Sequence, residues 1–102
     1  MKIDSVAALA ASAKEGGDPP ADLDPAVEAL WLTKAGRWED AHHLAQSMGD
    51  MTGDWIHGLL HLIEGDLGNA AYWYGRVGRS RPAREEAETE WERIARTVLG
   101  AG

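Results

Sequence analysis

Apolar residues along this chain recur at three- and four-residue intervals, and no window alternates apolar with polar over six residues. That pattern predicts helices and no strand. Glycines and prolines cut it into six helical runs. The first opens at Asp4 or Ser5 and stops at Gly16-Gly17. Asp18-Pro19-Pro20 forms a loop, because proline disfavours helical geometry in the residue before it. Asp24 before Pro25 reads as an N-cap and first helical position, opening a helix that runs to Ala35 with Gly36 behind it. A third helix covers Trp38 to Met48 and ends at Gly49. Thr52 or Asp54 opens a fourth, which ends at Gly65. Asp66 caps a fifth, to Val77, and Ser80-Arg81-Pro82 opens a sixth, over about 82–99.

Two of these stretches are copies of one unit. Gly36, Trp38 and Ala41 recur 29 residues later as Gly65, Leu67 and Ala70, each time between apolar helical runs. The repeat predicts an all-α fold, a small stack of antiparallel helical hairpins with units at about 25–49 and 54–78 in a single domain over 1–102. The sixth helix carries Ala87, Trp91, Ile94 and Val98 on one stripe, with Glu85, Glu86 and Glu88 at its start and Arg93 and Arg96 near its end. It reads as a capping helix with one apolar face, its charges matched to the helix dipole.

Small residues at Ala29 and Gly58, seven before each turn glycine, followed by glycine, a large residue and an inward Ala41 or Ala70, make the region 25–77 resemble the tetratricopeptide repeat. The period of 29 is shorter than the roughly 34 residues of that repeat. The string from Trp55-Ile56-His57 through Leu60-His61, Glu64-Gly65-Asp66, Asn69-Ala70 and Tyr72-Trp73-Tyr74 is similar to a motif, W-I-H-x-x-L-H-x-x-E-G-D-x-x-N-A-x-Y-W-Y, carried by an uncharacterised, mostly bacterial group. These resemblances imply a helical-repeat fold and supply no chemistry.

The fourth helix holds the candidate chemistry. Trp55, Leu59 and Leu62 make one apolar stripe, Ile56, Leu60 and Ile63 another, and His57, His61 and Glu64 run between them. Two apolar faces mean packing on both sides. Reflecting the third helix about the loop near Met51 brings His42 beside His61, so three imidazoles and a carboxylate converge. Two histidines at i, i+4 with a third from a neighbouring helix suit zinc, with a fourth position left open. The competing reading is a structural stripe hydrogen-bonded to Tyr72, Asp66 or backbone. On the fifth helix Asn69, Tyr72 and Arg76 form a polar stripe. Tyr72 and Arg76 either join the histidines in a ligand pocket or lie at a helix interface.

Charge and composition narrow the classes. The net charge of −7 argues against nucleic-acid binding, which depends on phosphate neutralisation. Arg76, Arg79, Arg81 and Arg84 are the exception, a basic run that either grips a carboxylate or phosphate or balances the acidic remainder. No cysteine is present, so disulfides and thiolate metal sites are excluded. The first helix, with Lys2, Asp4 and Lys14, has no long apolar run, which leaves no membrane span and the cytoplasm as the expected location. No nucleophile motif or phosphate loop occurs, and two hairpins make a groove more readily than an enzyme's cavity. The leading expectation is therefore a non-enzymatic interaction module for a peptide, a protein or a second copy in a homodimer, with no cofactor. The alternative is a small-molecule or zinc site on His42, His57, His61 and Glu64.

Overall fold

The computed structural model describes residues 3–100. Lys2, expected on the first helix, lies outside them. Six α-helices follow one another: α1 Val6–Lys14, α2 Pro25–Lys34, α3 Trp38–Met48, α4 Met51–Glu64, α5 Leu67–Arg76 and α6 Ala87–Val98. Among the described residues there is no strand, and no helix is long and apolar enough to cross a membrane.

Helices adjacent in sequence pack in pairs, α2 on α3, α3 on α4 and α4 on α5, as short connections dictate. The repeated turns close alike. Gly36 and Gly65 take φ of +81° and +90°, and the next amide reaches back to the last turn, Arg37 N–H to Leu32 O and Asp66 N–H to His61 O, both at 2.9 Å. A left-handed glycine is what lets each helix end this way. The core joins Leu9, Leu30, Trp31, Ile56, Leu59, Leu60, Leu62, Tyr74 and Ile94, all fully buried.

Two boundaries differ from expectation. α4 begins at Met51, because Asp50 rather than Thr52 or Asp54 accepts the Gly53 amide at 2.8 Å. The last helix begins at Ala87 rather than near Pro82. Residues 79–83 are irregular, and a 3-10 turn over Arg84–Glu86 precedes α6, with Glu86 Oε1 accepting the Ala83 amide at 2.9 Å. The longer connection lets α6 lie across α2 and α4 and touch α1. It packs against the first helix of each hairpin and leaves an apolar cleft lined by Thr33, Ile63, Ala87 and Trp91.

Tryptophans join the layers. Their indole N–H groups need partners once buried, and four of the five find one on another helix: Trp31 on Ser12 Oγ (2.9 Å), Trp38 on Leu60 O (2.8 Å), Trp55 on Glu90 Oε2 (2.8 Å) and Trp91 on Leu30 O (2.9 Å). Trp73 is used differently, at the site described next.

Candidate functional site: a three-histidine cluster between two tryptophans

Helix α4 is buried from Trp55 to Leu62, so its histidines cannot reach water as a free face would. His57 is 4% exposed and His61 7%. His57 turns toward α3 and α5, and His61 toward α3. His42, on α3, meets them edge-on, its ring centroid 4.4 Å from that of His57 and 5.2 Å from that of His61. The rings of His57 and His61 stack, 4.9 Å apart. One nitrogen from each ring lies within 4.8 Å of the other two.

Aromatic walls hold the rings in place. Trp38 stacks on His42 with centroids 4.7 Å apart and meets His61 edge-on. Trp73 stacks on His57 at 4.0 Å. The hydrogen bond from Trp38 to the Leu60 carbonyl ties this wall to α4 itself. Glu64 completes the group. Its Oε2 lies 2.7 Å from His61 Nδ1, one turn along the helix. With the proton on Nδ1 donated to the carboxylate, the lone pair of His61 is on Nε2.

Burial disfavours the charged form of the other two rings. His57 is lowered from 6.5 to about 4, first by desolvation and then by repulsion from His42 and His61. His42 is lowered for the same two reasons, against the opposing pull of Glu39 and Glu64. At neutral pH both are neutral imidazoles with a free lone pair. That is the state that binds a metal.

The remaining sequence candidates fall outside the cluster. Tyr72 is 58% exposed, with its ring edge-on to Trp73 and its hydroxyl beside Arg76. Arg76 bonds Asp54 at 3.2 Å and sits over the outer face of Trp73. The other arginines of the basic run are also engaged: Arg79 over the Trp55 ring at 3.8 Å, Arg81 on Pro82 O and Arg84 on Ile63 O. A second group, His61, Glu64 and Asp66, also gathers its ligand atoms within 4.8 Å. Asp66 there is already committed as the N-cap of α5, accepting from Asn69.

Sequence reasoning missed Trp38 and Trp73 as the walls. Trp38 precedes His42 by four residues, a spacing that stacks side chains along a helix, so that signal was present. It also missed Glu90, which the apolar stripe of α6 gave no reason to bury.

No family model matches this chain, and no curated protein or solved structure matches it.

Proposed function

We propose that this chain is a small helical metal-binding domain, holding a divalent transition ion of the zinc class on His42, His57 and His61. The observation that carries the reading is the convergence of three ring nitrogens within 4.8 Å of one another, with His57 and His61 nearly buried and His57 held neutral. A tetrahedral ion bonds each nitrogen at about 2.1 Å and so brings them to about 3.4 Å apart, a closure that small ring rotations supply.

The surroundings support it. A carboxylate on the far nitrogen of a ligating histidine fixes the ring and raises its basicity, as Glu64 would do for His61. Glu39, Glu64 and Asp54 exert a favourable field on the rings and would draw a cation in. The all-nitrogen donor set suits zinc, cobalt, nickel or copper rather than calcium or magnesium. Three ligands leave one position for water or an added ligand.

Zinc titrated into the metal-free chain should raise its melting temperature by linkage, and a chelator should reverse the rise. His57→Ala and His42→Ala should each abolish the response while keeping the helical circular dichroism spectrum. A melting temperature indifferent to zinc, cobalt, nickel and copper would end this reading.

A different observation favours a second reading, docking of a protein partner. Ile63, at the end of α4, and Leu67, at the start of α5, are large apolar side chains left exposed, and Ile63 borders an apolar cleft with Thr33, Ala87 and Trp91. A second copy of the chain is the occupant proposed. Sedimentation equilibrium should then report a dimer that Ile63→Glu dissociates, and a monomer at all concentrations would refute it.

A further inference from the structure

Glu90 is a carboxylate on an otherwise solvated acidic helix start, yet it is 3% exposed. A buried carboxylate is tolerated only where its oxygens are satisfied. Here one oxygen, Oε2, accepts from both Trp55 Nε1 at 2.8 Å and Tyr74 Oη at 2.9 Å, and Oε1 accepts from Arg93 at 3.2 Å. Trp55 is on α4, two residues before His57. Tyr74 is on α5, directly after Trp73. A single oxygen on α6 therefore ties α4, which carries two of the three histidines, to α5, which carries Trp73.

The tie coincides with the closest approach of those helices. A Cβ at Gly58 would lie 2.9 Å from the Tyr74 ring and 3.3 Å from the Trp73 Cβ. The Tyr74 ring is thus pressed against α4 while its hydroxyl is held from α6. A helix anchored at one residue cannot rotate without moving the next, which here is Trp73, stacked on His57 at 4.0 Å.

We infer that Glu90 is a positioning residue for the three-histidine site: its carboxylate sets the rotation and spacing of α5 against α4, and through them the stack of Trp73 on His57. The role in metal binding rests on the reading of the cluster as a metal site. The geometric role does not.

Because both bonds fall on one oxygen, glutamine can replace that acceptor and methionine cannot. The test uses the full chain with Glu90→Gln, Glu90→Met and the milder Tyr74→Phe, each at a temperature where circular dichroism shows it folded. The first measurement is the NMR shift of the His57 ring protons without metal, which the face of Trp73 moves upfield. The second is zinc affinity by chelator competition. Glu90→Gln should keep the wild-type His57 shift. Glu90→Met should move it downfield and weaken zinc by ~10–100-fold, the usual effect of losing an outer-shell support. Tyr74→Phe should shift the resonance in the same direction by less, and it decides the question if Glu90→Met does not fold. A folded Glu90→Met or Tyr74→Phe protein with the wild-type His57 shift overturns the inference, as does a Glu90→Gln protein that behaves like Glu90→Met. Wild-type protein that binds no zinc overturns the metal reading alone, and the shift still decides the role of Glu90.

Discussion

The indole of Trp73 lies face to face with the imidazole of His57, ring centroids 4.0 Å apart and planes 16° from parallel. One ring comes from α5 and the other from α4, so the stack is part of how the second hairpin closes. Paired aromatic rings contribute about 0.5–1.5 kcal/mol beyond the area they bury. A double-mutant cycle on Trp73→Leu and His57→Leu, read by urea unfolding, should return a coupling of that size. A coupling indistinguishable from zero would mean that the stack follows from packing elsewhere.

The cluster also sets how stability depends on pH. His57 is lowered from 6.5 to about 4 in the folded chain, by burial first and by its histidine neighbours second. Between those values the unfolded chain binds a proton that the folded chain refuses, so stability rises with pH across that window. The contribution is complete above about 6.5 and is lost as the pH falls through about 4. His42, lowered as well, steepens the same limb. At the alkaline end, burial and the nearby Glu90 carboxylate raise the Tyr74 hydroxyl above its usual 10.0. The unfolded chain then loses a proton that the folded one keeps, and stability falls above about pH 10. Urea midpoints measured from pH 4 to 8 should fall on the acid side, and His57→Gln should flatten that limb.

The order of helices was legible because its signals are local. Proline after Asp24, glycine after Ala35 and Glu64, and the spacing of Leu59 and Leu62 each act within one turn of chain. The meeting of His42 with His61 was legible too, since a short loop leaves antiparallel packing as the one close arrangement for α3 and α4. What a single helix cannot encode is what crosses it. The path of α6 over α2 and α4 depends on the irregular residues 79–83, of which the proline at 82 suggested that the last two were already helical. Glu90 lies off the apolar stripe of Ala87, Trp91, Ile94 and Val98, between Glu88 and Glu92, and nothing local marks it for burial. Its burial is decided by Trp55 and Tyr74, 35 and 16 residues away.

The start of α4 gives a direct check on one corrected boundary. Asp50 has extended backbone and its carboxylate accepts the Gly53 amide at 2.8 Å. Removing such a cap costs about 0.5–2 kcal/mol. Asp50→Ala should therefore lower the unfolding free energy by about 1 kcal/mol, whereas Thr52→Ala, within the first turn, should change it little. The reverse ranking in urea denaturation would restore Thr52 as the cap.

Three helical glycines make a last, internally controlled prediction. Gly58 lies within α4, Gly68 and Gly75 in the first and last turns of α5, and none has a positive φ, so alanine is favoured at each by intrinsic propensity, by up to about 1 kcal/mol. At Gly68 and Gly75 an added Cβ meets nothing within 4 Å. Gly68→Ala and Gly75→Ala should each stabilise the fold by about 0.4–1 kcal/mol. At Gly58 the same methyl group meets Tyr74 ring carbons at 2.9 and 3.0 Å and the Trp73 Cβ at 3.3 Å. The Tyr74 ring is fully buried and its hydroxyl is tied to Glu90, so it cannot swing away. α5 must move instead, and overpacking of that kind costs about 1–3 kcal/mol, more than propensity returns. Gly58→Ala should thus destabilise the chain in thermal unfolding while the other two raise its melting temperature. Equal stabilisation by all three would show that α4 and α5 are not held at this spacing.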